Sequence, residues 1–462
     1  MRRKNAWTTY NKKQLDELEK LCKNYLKFLD KGKTERECVK QIVKQAEEKG
    51  YVNLADITKD KKALKAGDKV YSVCMDKTVA LFQIGKKKLE KGMNILGAHI
   101  DSPRMDVKQN PLYESEEFAY LDTHYYGGIK KYQWVTLPLA LHGVVVKKDG
   151  TVITVNVGED KNDPVFCVTD LLIHLAGEQM EKKANKVIEG ENLDVLVGSK
   201  PLEGKEKDAV KEGILEILKE KYDMTEEDFM SAEIEVVPAG HAREAGLDHS
   251  MVMSYGQDDR VCAYTSLAAM LEVEEVEKTT CCLLTDKEEI GSVGATGMQS
   301  RFFENSVAEL MDAMGEFSEL SLRRCLANSS MLSSDVNAAY DPLFANAFEK
   351  NNASYFGRGV VFSKFTGSRG KSGSNDANAE YIARIRKMMD KNEVCFQTAE
   401  LGKVDVGGGG TIAYICAKYG MNVIDCGIPV LSMHAPWEVI SKVDLWEEYK
   451  CYCAFLKGAR EF

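Results

Sequence analysis

Residues Leu283 to Ser292, LLTDKEEIGS, decide how this chain is read. Leu283 and Leu284 lead out of an apolar run into a loop that carries adjacent carboxylates, Glu288 and Glu289, and closes on Gly291. A strand that leaves a sheet and ends in a charged loop marks the edge where open α/β sheets keep their chemistry. Two neighbouring glutamates between apolar residues repel each other unless a cation or a proton resolves the repulsion. One solution makes one carboxylate a metal ligand and the other a base for an activated water. Standing alone, such a pair is more simply two solvated glutamates, because Glu is usually exposed.

Other stretches of the same type change that balance. Asn94 to Asp106, NILGAHIDSPRMD, is an apolar strand that ends by presenting His99 and Asp101. A metal-bound imidazole needs its other nitrogen fixed by an acceptor, and a carboxylate two positions on suits that role. In YGQDDR, Asp258 and Asp259 precede a helical pattern from Val261 to Val273. Acidic residues there are favoured by the helix dipole alone; with metals present, one of the two would bridge a pair of ions. MLSSDVNAA presents Asp335 after a short strand-like run, and VIDCGIPVLSMHAPWE leads to His434. Two histidines and three carboxylates at strand ends or helix starts suit a pair of zinc-like ions at one edge of a mixed sheet.

Composition excludes several classes. At 462 residues the chain is long enough for roughly two to three domains. A net charge of −10 argues against a nucleic-acid partner. The opening residues lack the apolar core of a signal peptide, and no apolar run is long enough to span a membrane. Thirteen cysteines with no CxxC spacing fit reduced thiols in the cytoplasm, so any metal is expected on His, Asp and Glu.

The elements predicted around these stretches are alternating helices and strands. Helical periodicity runs through residues 10 to 30, placing Leu15, Leu18, Leu21 or Cys22, Tyr25 and Leu29 near one face, and through Thr34 to Lys49. Strands are expected at Lys69 to Cys74 and Thr78 to Ile84. Beyond them the chain changes character: Val135 to Val146 and Thr151 to Val157 read as strands around a KKDG turn. Asp170 to Lys183 and Ala209 to Tyr222 read as helices, and Glu189 to Lys207 as a mobile loop. The expectation is an α/β catalytic domain made of residues 1–106 and 247–462, interrupted by a β-rich assembly or lid domain at 107–246. In the last third, KFTGSRGK is a basic loop before a helix from Asp376 to Met389, and VDVGGGGT opens another helix. Gly409 and Gly410 would allow close backbone approach of a substrate anion at that helix N-terminus; tight helix packing explains the glycines equally well.

Taken in order, GAHIDSPRMD, YGQDDR, TDKEEIGS, SSDVNAAYDP and VLSMHAPWE resemble the motifs of the M18 metallopeptidases, the aspartyl aminopeptidase family. The resemblance runs from the N-terminal helices to the last helix and is closest to the bacterial branch. It implies a mixed-sheet zinc-peptidase domain in an α/β/α sandwich, holding two divalent ions, Zn first with Co or Mn as substitutes. By that resemblance His99, Glu289, Asp335 and His434 match terminal ligands, Asp258 the bridging ligand, Glu288 the catalytic base, and Asp101 the carboxylate orienting His99. It also implies peptide substrates with a free N-terminus and a homo-oligomer, a tetrahedral dodecamer with its sites facing an inner chamber. The chain departs from the family in two places. VNAAYDP lacks the histidine-bearing segment of eukaryotic members, and KFTGSRGKSGSND differs from the arginine-containing stretch of acid-preferring ones. Lys364, directly after GVVFS, is the first choice to neutralise an acidic substrate side chain. Two rival readings remain: a two-metal N-acyl amino acid deacylase or carboxypeptidase, and a non-catalytic assembly protein on a decayed peptidase scaffold.

Overall fold

The computed structural model describes residues 4–367 and 369–458, which group into two compact units. One comprises Met1–Asp101, Ala242–Met433 and Glu438–Phe462; the other comprises Ser102–His241 and His434–Trp437. The divisions differ from the expected breaks after 106 and 246 for a simple reason. Arg104–Ser115 is already a strand of the second unit's sheet, whereas Arg243–Ala245 pairs with Met251–Ser254 in the first.

The first unit is built on a nine-stranded mixed sheet. Its centre is a run of four parallel neighbours: Thr280–Thr285, Asn94–His99, Ser330–Ser334 and Asn422–Gly427. These strands are buried on both faces and read as nearly continuous apolar or small residues, as parallel strands covered by helices must. Alternation along Asn94–His99 shows the two layers. Leu96 and Ala98 join one core with helices Lys12–Lys31, Gln257–Glu272 and Lys442–Lys457. Ile95 joins the other, with helices Phe302–Ala313 and Glu319–Ala327. The α/β sandwich with helices on both faces is therefore as expected. Lys12–Lys31 starts at an Asn11 capping box with Gln14 and buries Leu18, Cys22, Tyr25 and Leu29 of the face its periodicity marks, while Leu15 and Leu21 are only partly covered. A five-stranded sheet, Arg243–Ala245, Met251–Ser254, Glu438–Ser441, Pro429–Leu431 and Asn337–Ala338, completes this unit.

The second unit holds a six-stranded antiparallel sheet, in the order Val152–Val157, Leu139–Val146, Ala232–Pro238, Arg104–Ser115, Phe118–Tyr126 and Val195–Gly198. Two expectations are corrected here. Val195–Gly198 lies inside the stretch read as a loop, where VLV is too short to stand out among charged residues. Asp170 to Lys183 is not one helix but a 3-10 turn at Ile173–Leu175 and a single turn at Gly177–Met180. Leu172, Ile173 and Leu175 are exposed, so no packing supports a longer helix, and a short helix without packing is marginal. The expected helix Ala209–Tyr222 is present. Among the described residues, no helix is long and apolar enough to cross a membrane.

Candidate metal centre

Parallel register brings the chemistry to one edge. His99 is the last residue of its strand, and its register partner Thr285 ends the strand that leads to Glu288 and Glu289. On the other side, Ser330–Ser334 runs parallel and hands over to Asp335. Parallel strands in register finish at the same carboxyl edge, so residues just beyond them meet there. Asp258 and Asp259 come from the first turn of Gln257–Glu272, buried against these strands.

His99 Nε2 lies 3.3 Å from Asp258 Oδ1, 3.9 Å from Glu288 Oε2 and 3.9 Å from Asp335 Oδ1. Three overlapping sets keep their ligand atoms within 4.8 Å of one another: His99, Asp258 and Glu289; His99, Glu288 and Asp335; and Asp258, Asp259 and Asp335. Asp101, fully buried, ties the sides together. Its Oδ1 is 3.3 Å from His99 Nδ1 and accepts the Glu288 N–H at 3.1 Å, and its Oδ2 accepts the Glu289 N–H at 3.1 Å. With the Asp101 carbonyl also 3.0 Å from Nδ1, the proton of a neutral His99 belongs on Nδ1, and Nε2 turns its lone pair to the cluster.

The donor set fits a divalent cation. Among the described residues, no hydrogen bond reaches His99 Nε2 or either carboxylate oxygen of Asp259, and a buried polar atom left in that state costs about 1–3 kcal/mol. Burial, and after it the charges of Glu288 and Asp258, push Asp335 well above the usual carboxylate range. Burial likewise raises Asp259. For His99 burial opposes the charged form, but Asp101, Asp258 and Glu288 outweigh it and raise the imidazole. A cluster of this kind holds protons until positive charge replaces them, so ion binding should release protons. One imidazole nitrogen with several carboxylate oxygens is a ligand set that zinc accepts.

His434, Lys364, Gly409 and Gly410 are not members of these three sets. His434 belongs to the second unit, where its Nδ1 lies 2.8 Å from the Gly128 carbonyl. That contact fixes the ring and makes Nε2 the nitrogen suited to a ligand role. Lys364 is about half exposed, with Nζ 3.8 Å from Asp376 Oδ1, while Lys371 Nζ is 3.1 Å from the other oxygen of Asp376. The basic loop therefore carries part of its own counter-charge. Gly409 donates its N–H to the Thr366 carbonyl, and the helix after the glycines is only Ala413–Ala417, with little dipole to offer an anion. The sequence pointed to one of the DD pair, but the structure brings both into the cluster. Glu438, which accepts the Asp258 N–H at 3.0 Å, was missed although it closes the quoted stretch VLSMHAPWE.

Comparison with known proteins identifies the family. Residues 28–456 match the peptidase M18 family model, described as aminopeptidase I zinc metalloprotease. The probable M18 family aminopeptidase 1 of Clostridium acetobutylicum is 62% identical over 456 residues, covering 98% of each chain. A crystal structure of an M18 family aminopeptidase from Thermotoga maritima matches with a TM-score of 0.94 and 46% identity, covering 99% of both chains. The mApe1 dodecamer of S. cerevisiae shares the fold, with a TM-score of 0.76 and 20% identity over 95% of this chain and 97% of that one. With a family match running through nearly all of its length and a carboxylate–imidazole cluster at its sheet edge, the chain belongs to the M18 family of zinc metallo-aminopeptidases.

Proposed function

We propose that the chain releases single residues from peptide N-termini at a site holding two divalent ions, Zn first and Co or Mn as substitutes. His99, Glu289 and Asp335 would hold the ions as terminal ligands, Asp258 would be the carboxylate they share, and His434 is included on the strength of its sequence motif. The observation that carries this reading is the overlap, through His99, Asp258 and Asp335, of three sets of ligand atoms that between them include Glu288 and Glu289. Divalent ions held by these residues would supply Lewis acidity to a scissile carbonyl and to a water. Glu288 accepts the proton of the attacking water and returns it to the leaving amine. Asp101 orients His99 and holds both glutamates at their backbone N–H groups. The free amino terminus of the substrate would bind one metal or a nearby carboxylate, which limits cleavage to the first residue.

Lys364, with Gly409 and Gly410, is assigned to the substrate side, with Lys364 favouring an acidic first residue. Homo-oligomeric assembly, a tetrahedral dodecamer through the inserted unit, belongs to the same reading. It is supported by the family resemblance and by the dodecameric S. cerevisiae relative. A cytoplasmic location is supported by thirteen cysteines, all free thiols.

A panel of aminoacyl chromogenic substrates and their N-acetylated counterparts tests this reading. Release from the free amines is expected, with the acetylated forms inert and Asp or Glu leading. Lys364→Ala should then slow the acidic substrates selectively. Preference for the N-acetylated forms would move the chain to the deacylases. Strong release of neutral residues would keep the aminopeptidase and discard the acidic preference.

A further inference from the structure

Behind the candidate centre lies a buried acid that the proposed mechanism does not use. Glu448, on helix Lys442–Lys457, is fully buried. The Thr265 hydroxyl donates to its Oε2 at 2.8 Å, and the Cys262 thiol donates to its Oε1 at 3.2 Å. Both donors sit on Gln257–Glu272, the helix whose first turn carries Asp258 and Asp259. The Tyr452 hydroxyl lies 3.0 Å from Glu448 Oε1 and 2.6 Å from Ser334 Oγ. Ser334 ends the strand that hands over to Asp335. One carboxyl group thus bonds directly to one ligand-bearing element and, through Tyr452, to another.

We propose that Glu448 is a positioning residue of the metal centre, fixing the spacing between the Asp258–Asp259 turn and Asp335. This rests on the reading of those aspartates as the metal site. Stability alone is a poor reason for the acid. Burial pushes its carboxyl up to about 7 against the pull of its hydrogen bonds, and replacing hydrogen-bonded partners by apolar groups of the same shape can be nearly neutral or stabilising. A fully satisfied buried network does fix geometry. Outer partners of ligands commonly change metal affinity by about 10–100-fold when removed.

The test is zinc affinity, measured by chelator competition, together with kcat and KM of the zinc-loaded protein. Glu448→Leu is expected to weaken zinc binding by about tenfold or more and to lower kcat, with KM nearly unchanged. Glu448→Gln, which keeps most of the hydrogen bonds, should recover most of the loss. Tyr452→Phe, a milder change that cuts only the arm to Ser334, should show a smaller loss in the same direction, and it serves if Glu448→Leu fails to fold. Asp444→Asn is the control on the same helix. Asp444 accepts the Gly357 and Gly359 N–H groups, and among the described residues no hydrogen bond ties it to either ligand-bearing element, so zinc affinity should hold. Wild-type affinity in both Glu448→Leu and Tyr452→Phe would overturn the proposal, as would an equal loss in Asp444→Asn. Asp335→Asn separates the two levels: if it binds zinc like the wild type, the metal-centre reading itself fails.

Discussion

Glu288→Gln is expected to lower kcat by about a thousandfold while leaving metal content unchanged, the range general acid–base groups contribute. The substitution preserves size and backbone, and the Glu288 N–H keeps its bond to Asp101. Only the capacity to take and return a proton is lost. The side chain is well placed to carry that proton. Its Oε2 lies 3.9 Å from His99 Nε2, and at 13% exposure it is partly open where Asp101 and His99 are closed. Glu289→Gln is the companion. As a proposed ligand, Glu289 should lose metal along with activity. Metal loss in Glu288→Gln and retention in Glu289→Gln would exchange the two roles. Stopped-assay kinetics with elemental analysis of each variant reads both quantities.

Asp101→Asn should be almost as damaging, by a different route. The carboxylate faces three donors, the His99 ring and the N–H groups of Glu288 and Glu289. An asparagine offers one acceptor oxygen, and its amide turns a donor towards one of those groups. Leaving a buried N–H unpaired costs about 1–3 kcal/mol, and the loop that carries both glutamates loses half its anchor. The imidazole also loses the charge that orients it, for which metal affinity typically falls about 10–100-fold. Lower thermal stability and weaker zinc binding are therefore expected together. A variant that bound zinc as the wild type does would remove Asp101 from the proposed machinery.

Much of the site was legible because its signals are local. HxD, DD and EE each place two polar groups beside a strand end or helix start, where the physical options are few. The convergence of His99, Glu288 and Asp335 follows from one further step, since neighbouring parallel strands finish at one edge. What stayed hidden depends on packing between distant segments. Nothing near Glu448 in LWEEYKCYC shows that one of its acids is buried against Thr265 and Cys262. Asp259 looked interchangeable with Asp258 because a dipole explanation covers both. In the inserted unit, the periodic pattern of Asp170 to Lys183 promised a helix, but the exposure of its apolar residues removed the packing that would sustain one.

The central claim is a two-ion peptidase site, and a zinc titration of activity tests it most directly. The chain is stripped by a chelator, zinc is returned in measured equivalents, and hydrolysis of a free-amine substrate is followed. Activity absent after stripping and rising to a plateau at two equivalents per chain is the expected result. A plateau at one equivalent would leave a single-ion enzyme, and hydrolysis that survives full metal removal would overturn the metal-dependent account.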